Sequence, residues 1–529
     1  MKILIADPVS EQGVAVLAAK HTVDVKTKLP PAELIKIIGA YDGLVVRSET
    51  KVTKEVIAAA TNIKVIGRAG VGVDNIDVTA ATQHGIIVLN APEGNTVAAT
   101  EHTMAMMLAL ARHVAQAHAS VQAGQWERSK FMGVELRGKT LGILGLGRIG
   151  TGVAKRAIAL EMNVIAYDPF VSAQGAKALG IELMELMDVV KSADFLTLHL
   201  PLTADTKNLI NSDTIAQMKD GVRIINCARG GTIDEEALAS ALKSGKVAGA
   251  AIDVFAAEPL AADSPLRGLN NVVLTPHLGA STVEAQVGVA VDVAAGVAAA
   301  LDGEPVTTAV NLAPVPPHVM QVIRPYFTLA ERMGCLAIHL ADGPVCAVDV
   351  EYNGSLADVD TRMLTTAVLK GLLNPILPET VNYVNANNLA KSRSIRVKEV
   401  KSQDAAANFA NLISVRVRTD KTEHIVAGTL FGLEEGRIVL IDGHRVDVDP
   451  QGWLLIGPHM DRPGIIGKVG TLLGEHNINI AGMQVGRTAT AGTNIMVLAV
   501  DSDIPTPVML KLKAVDGILG ARLVNFAAD

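Results

Sequence analysis

Arg229, Glu258 and His277 are the residues of this chain whose types could run one reaction together. Each follows an apolar stretch of strand length. Arg229 stands in Asn226-Cys227-Ala228-Arg229-Gly230-Gly231, Glu258 in Asp253-Val254-Phe255-Ala256-Ala257-Glu258-Pro259, and His277 in Thr275-Pro276-His277-Leu278-Gly279-Ala280. Oxidising a 2-hydroxy acid needs a base for the hydroxyl proton, a cation for the carboxylate and the forming carbonyl, and a hydride acceptor. Histidine suits the first task because its pKa lies near neutrality, and a carboxylate beside it orients the ring. Arginine can grip a carboxylate in a fork and stays charged throughout. Taken singly, each residue has an ordinary reading: a turn cap, a surface ion pair, a loop cation. Taken together at the strand ends of one sheet, the chemical reading is the stronger, because ligands of open parallel sheets gather there.

The hydride acceptor is read from the stretch Lys139 to Gly150. An apolar run ends in Gly145-Leu146-Gly147-Arg148-Ile149-Gly150 and then turns helical, the order of parts that a dinucleotide pyrophosphate requires. Glycine permits the sharp turn and the close approach of backbone to phosphate, and the helix amino terminus faces the anion. The next strand, Val164-Ile165-Ala166-Tyr167, ends at Asp168, close to the spacing of about 20 residues at which a carboxylate holds the ribose hydroxyls. That carboxylate would repel a 2′-phosphate, so NAD is expected rather than NADP.

The elements that must position these residues alternate strand and helix. Six successive strands from Lys139 onward carry a polar or special residue at the carboxyl end, His199 among them. The first ninety residues repeat the pattern in a smaller βαβ unit, with Arg47-Ser48 after one strand and Gly67-Arg68-Ala69-Gly70-Val71-Gly72 after another. Thr96 to His118 reads as one long helix, and no chemistry is assigned to its His102, His113 or His118. With 529 residues, about three or four domains are expected. Apolar residues make up 49% and aromatics only 3%, which favours α/β cores built from aliphatic side chains. A net charge of -7 argues against a nucleic-acid binder. Cys227, Cys335 and Cys346 form neither a disulfide framework nor a metal-ligand spacing. The apolar stretch Val283 to Ala300 is interrupted by Glu284, Gln286 and Asp292, and no signal segment precedes the first strand, so no membrane span is expected and a cytoplasmic setting is.

The glycine-rich turn, Asp168, and the motifs around Arg229, Asp253 with Glu258-Pro259, and His277 jointly resemble the D-isomer-specific 2-hydroxyacid dehydrogenases. The resemblance covers residues 1 to about 310. It implies Arg229 on the substrate carboxylate and carbonyl, Glu258 supporting the histidine, and His277 as acid/base. An NAD site lined by Gly145, Gly147, Arg148, Ile149, Gly150, Asp168, Cys227, Ala228, Arg229, Asp253, His277, Gly279 and Ala280 is implied with it. It also implies a Rossmann-type NAD domain, residues 97–284, inserted in a flavodoxin-like substrate domain formed by residues 1–96 and 285–311. Within the family, Arg47, Ser48, Gly70 and Val71 look most like the branch that oxidises 3-phosphoglycerate, with Arg47 on the phosphate. The segment Trp126 to Phe131 resembles the part that crosses a dimer interface, which would carry Lys130 or Arg128 to a neighbouring subunit's site. A homodimer or homotetramer is expected.

Pro314-Val315-Pro316-Pro317 marks a boundary. An α+β intervening domain is expected over residues 312–450, where Gly443-His444-Arg445 reads first as a basic turn. From Gly452 the order βαββαβ predicts a ferredoxin-like unit, with a helix from Pro463 to Leu473, over residues 451–529. His459-Met460-Asp461-Arg462-Pro463-Gly464 and Asn477-Ile478-Asn479-Ile480 resemble an ACT domain. By that resemblance His459, Asp461 and Asn479 hold an amino-acid effector, serine being the expected ligand. The rival readings are a glyoxylate or hydroxypyruvate reductase and a non-catalytic NAD-sensing regulator. The regulatory tail and Arg47 weigh against the first, and the intact set Arg229, Glu258 and His277 against the second.

Overall fold

The computed structural model describes residues 1–526 except 305, 314, 378–379, 404–408 and 488–491. Pro314, one of the boundary prolines, therefore lies outside the described residues; Pro317 opens the helix Pro317–Ile323 at the position where a missing N–H costs nothing.

The first sheet has five parallel strands, Lys2–Ile5, Thr22–Val25, Gly43–Val46, Val65–Arg68 and Ile87–Leu89, ordered second, first, third, fourth, fifth. This is the flavodoxin-like order, and its switch point lies between the first and third strands. The central strand Gly43–Val46 is buried on both faces, as the unbroken Leu-Val-Val run requires. One face is sealed from far along the chain. The helix Val283–Leu301 lays Val289, Val293, Val297 and Leu301 into the same core as Ile3, Ile5, Val45, Val65 and Leu89. It is long and apolar enough to cross a membrane by length and composition, but here that apolar stripe covers a sheet. Each of those aliphatic side chains contributes about 1.5–3 kcal/mol on burial. The contact is close at Gly67, where an added Cβ would come within 2.6 Å of both Val293 and Val297.

The second sheet has seven parallel strands: Thr140–Leu144, Asn163–Tyr167, Glu182–Leu183, Phe195–Leu198, Val222–Asn226, Val247–Ile252 and Val272–Leu274. Counted in chain order, they lie third, second, first, fourth, fifth, sixth, seventh, the doubly wound Rossmann order with one strand added. Because all run parallel, their carboxyl ends form one edge. Ahead of this sheet the expected single helix is two, Thr96–Ala111 and Val114–Gln122. They are divided at His113, whose φ of 54° is left-handed. The alanine-rich composition hid that break, which needs a backbone conformation rather than a helix-breaking residue type.

The third sheet is antiparallel apart from one pair, Val345–Gly354 with Arg396–Ser402. The helices Phe327–Leu340 and Arg362–Leu373 share its core through Met333, Leu336, Val368 and Leu372. In the last unit, the strands Trp453–Met460, Ile480–Gly486, Thr493–Val500 and Arg522–Asn525 lie fourth, first, third, second. The helices Ile465–Glu475 and Thr506–Lys513 complete a ferredoxin-like βαββαβ fold. Its first helix starts at Ile465 rather than Pro463, because Gly464 takes a left-handed φ of 88°. The outer strand Ile480–Gly486 is exposed along most of its length.

Replacing Gly67 by Ala forces the returning helix away from its sheet. Overpacking of this kind costs about 1–3 kcal/mol, so Gly67→Ala lowers the midpoint of the transition that reports on the first sheet in a denaturant titration.

Candidate active site

The carboxyl edge of the second sheet faces the first unit, and the residues singled out by type meet there. The glycine-rich turn follows Thr140–Leu144 and ends in the helix Arg148–Ala159. Gly145 has a φ of 96°, and a Cβ on Gly150 would stand 2.0 Å from the Gly145 carbonyl oxygen; only hydrogen fits there. A Cβ on Gly147 would meet nothing within 4 Å, so the backbone is open where a pyrophosphate would approach. Asp168 braces this turn from the neighbouring strand end, accepting the Leu146 N–H at 2.8 Å. The turn, the helix amino terminus and the carboxylate therefore fit a dinucleotide.

Asp253 is the centre of the edge. It is fully buried, and it accepts hydrogen bonds from the Thr275 hydroxyl at 2.6 Å, the Leu278 N–H at 2.8 Å and the Gly279 N–H at 3.0 Å. His102 Nε2 lies 3.2 Å from its Oδ1. Burial alone would raise this carboxyl, but the bonds from His102, Thr275 and Leu278 outweigh it and hold the carboxyl below its ordinary value. No chemistry was expected of His102; the structure makes it a support of the loop that carries His277. Cys227 Sγ, His102 and Asp253 have donor atoms within 4.8 Å of one another, a grouping of ligand types that their separation in sequence concealed. Burial, with the Asp253 carboxylate beside it, pushes the Cys227 thiol up to about 12, so it stays an uncharged S–H.

The expected trio assembles around this centre. His277 adopts a left-handed φ of 56° and donates its N–H to the Asp253 carbonyl at 2.9 Å. Its Nδ1 lies 2.8 Å from Glu258 Oε2, and the other Glu258 oxygen accepts the Phe255 N–H at 3.1 Å. The carboxylate is thus fixed and placed to accept a hydrogen bond from Nδ1–H, which leaves Nε2 to exchange a proton. Arg229 crosses the cleft: its Nε is 3.3 Å from Asp74 of the first unit. Its loop is held by Asn226, whose side-chain amide donates to the Arg229 carbonyl at 3.0 Å.

On the facing side, Arg47 and Arg68 end two strands of the first sheet. Arg68 donates to Asn75 at 2.7 Å, and Asn75 in turn donates to the Arg47 carbonyl at 2.7 Å. Burial, then the Arg229 cation, and also the Arg47 cation hold Arg68 below its usual range, with Asp74 opposing. Arg68 stood in a motif noted in the sequence without a role of its own. Gly70 and Val71 are pinned from Ala91 and Asn90, and Ser48 is exposed at the rim. Lys130 is not in the cleft; it pairs with Glu127 at 2.6 Å on the turn Arg128–Phe131.

In the ferredoxin-like unit the three residues expected to hold an effector are divided. His459 is buried and Asp461 is paired with Arg487 at one end of the sheet. Asn479 donates to Asp501 at 2.7 Å. Pairing of Met460 with Thr493, and of both Trp453 and Ile480 with Val500, puts Asn479 at the opposite end.

Residues 104–279 match the NAD-binding domain of the D-isomer specific 2-hydroxyacid dehydrogenases, 322–442 the D-3-phosphoglycerate dehydrogenase intervening domain, and 455–517 the ACT domain. The D-3-phosphoglycerate dehydrogenase of Synechocystis sp. is 48% identical over 99% of this chain and 94% of its own length. That of Archaeoglobus fulgidus is 48% identical over 99% of this chain and all of its own. The chain belongs to the D-3-phosphoglycerate dehydrogenase family. Solved structures align with more than half of it. A glyoxylate reductase from Paecilomyes thermophila has 31% identity and a TM-score of 0.54, covering 58% of this chain and 97% of its own. A D-lactate dehydrogenase from Aquifex aeolicus, complexed with NAD and lactic acid, has 28% identity and a TM-score of 0.52, covering 57% of this chain and 96% of its own. This dehydrogenase therefore matches enzymes named for unphosphorylated acids over somewhat more than half of its length, and the phosphoglycerate branch over nearly all of it.

His102→Ala removes one donor from the buried Asp253 carboxylate, a loss of about 1.5–3 kcal/mol; kcat/KM is expected to fall roughly tenfold to hundredfold in steady-state assays. His199, at the same edge, is pushed down by burial to about 4 from 6.5. It binds a proton more readily in the unfolded chain, so its contribution to stability is complete above about 6.5 and is lost as pH falls towards 4. Thermal unfolding followed across that window should show a shallower decline in His199→Gln.

Proposed function

We propose that the chain oxidises 3-phospho-D-glycerate to 3-phosphohydroxypyruvate with NAD, the first step of serine synthesis. The observation that carries the substrate is the cationic cleft. Arg47 and Arg229 both come close enough to Arg68 for their charges to act on it, and among the described residues Arg229 is ion-paired with Asp74 alone. A substrate with a carboxylate at one end and a phosphate at the other relieves that repulsion at both ends. Arg229 takes the carboxylate and the C2 oxygen; Arg47 and Arg68 take the phosphate beside Ser48, Gly70 and Val71.

NAD bound here would supply the hydride acceptor for C2. The backbone from Gly145 to Gly150 would hold its pyrophosphate, Asp168 its ribose, and Cys227, Ala228, Asp253, Gly279 and Ala280 would line the remainder. His277 Nε2 removes the C2 hydroxyl proton while Nδ1 remains bonded to Glu258, whose charge stabilises the imidazolium. Arg229 polarises the forming carbonyl and stays charged throughout.

The assembly proposed is a homodimer or homotetramer. Trp126 and Met132 are 80% and 81% exposed on either side of the turn Arg128–Phe131, with Val114 and Val121 also uncovered nearby. That surface would carry Lys130 or Arg128 to a second copy's cleft. Serine is proposed as the effector. Since Asn479 lies at the far end of the sheet from His459 and Asp461, a serine site using all three takes Asn479 from a second copy. The cytoplasm is the proposed setting, in keeping with free cysteines and an apolar helix that serves a core.

Two substitutions separate the roles. His277→Ala is expected to lower kcat for NADH formation from 3-phosphoglycerate by about 10²–10⁴ with KM little changed. Arg68→Ala is expected to raise KM for 3-phosphoglycerate roughly tenfold to hundredfold, by the loss of about 1.5–3 kcal/mol, and to leave the KM for unphosphorylated glycerate nearly as it was. Equal effects on both substrates would remove Arg68 from the phosphate.

A further inference from the structure

A cavity of about 420 Å³ lies away from the catalytic cleft, between the returning chain of the first unit and the third sheet with its helices. Its first wall comes from Asn311, Leu312 and Ala313; its second carries Arg362, Val384 and Glu399. The volume falls in the range of small-molecule sites, about 300–1,000 Å³.

Two opposite charges line this space, each with half its bonding capacity used to fix its position. Arg362 gives Nε and Nη2 to Asp360, at 3.0 and 2.6 Å. Its Nη1 has no partner among the described residues. Glu399 Oε1 accepts from the Thr365 hydroxyl at 2.5 Å, and that hydroxyl is itself 2.8 Å from the buried Tyr352 hydroxyl. The second Glu399 oxygen has no hydrogen bond from a described residue, and no ion pair joins it to Arg362 among the described residues. A cation and an anion placed on one wall and not spent on each other are complementary to a ligand bearing both signs. The apolar Leu312, Ala313 and Val384 suit a short side chain.

We propose that this cavity binds a small zwitterion, an α-amino acid, whose carboxylate meets Arg362 Nη1 and whose ammonium meets Glu399 Oε2. The site joins two parts of the chain. Asn311 anchors the first wall, accepting the Val88 N–H at 2.9 Å and donating to the Ile86 carbonyl at 2.8 Å. Among the described residues the two parts are bonded directly by Asn382, which donates to the Gly85 carbonyl at 2.8 Å. An amino acid seated here strengthens that junction, and it does so independently of the ACT residues.

The test is thermal unfolding and equilibrium dialysis of the full chain with each standard L-α-amino acid at millimolar concentration. At least one amino acid should raise the transition temperature of the wild type and of Asp461→Ala alike. In the Asp461→Ala background the rise and the binding should be lost on adding Glu399→Gln, which keeps an acceptor for Thr365, and on adding Arg362→Gln at an exposed position. The amine and the carboxylic acid that each lack one charge of the active compound should not bind. The proposal is overturned if no amino acid binds Asp461→Ala, or if binding to Asp461→Ala survives both the added Glu399→Gln and the added Arg362→Gln.

Discussion

The first sheet cannot be sealed by its own neighbours in sequence. One face waits for the helix Val283–Leu301, which arrives only after the whole seven-stranded sheet has been made. That one packing contact forces the chain to cross between the two sheets twice, so that the Rossmann unit is held against the strand ends of the flavodoxin-like one. The cleft is a result of this tether. Arg47 and Arg68 on one side, and Arg229, Glu258 and His277 on the other, come from strands that share no hydrogen bonds, yet Arg229 reaches Asp74 across the gap.

Within the cleft, positive charge and buried negative charge have different work. The charges of Arg229 and Arg47 both act on the half-buried Arg68, which favours an arriving anion. Asp253 is the reverse: a carboxylate kept ionised in the interior because it is surrounded by donors. Its bonds run to the backbone on the carboxyl side of His277, while its own carbonyl takes the His277 N–H. His277 is thereby fixed from the main chain, and Glu258 is left to fix the ring.

Much of this was legible in the sequence because parallel strands place their ends on one edge, so strand-end residues could be grouped without coordinates. The two sheets, the glycine-rich turn and the set Arg229, Glu258 and His277 follow from that rule. His102 did not, because it sits inside a helix where no strand end marks it, and its partner Asp253 is far away in the chain. The break at His113 depends on a left-handed backbone at a residue type that carries no such signal. The division of His459 and Asp461 from Asn479 depends on sheet register, which spacing along the chain does not encode. The cavity at Arg362 and Glu399 is assembled from a helix, a strand and a distant connecting segment, and no motif spans them.

The late position of the sealing helix also orders events during synthesis. Domains fold as units while the chain emerges, amino-terminal parts first, but here the amino-terminal sheet is made first and completed only after the inserted unit. Until Leu301 has left the ribosome, Val45, Val65 and Leu89 lack the side chains that cover them. The inserted Rossmann unit has all seven of its strands by Leu274 and can close its core before then. A chain interrupted between those points would carry a finished nucleotide-binding unit beside an open apolar sheet, the species most in need of a chaperone.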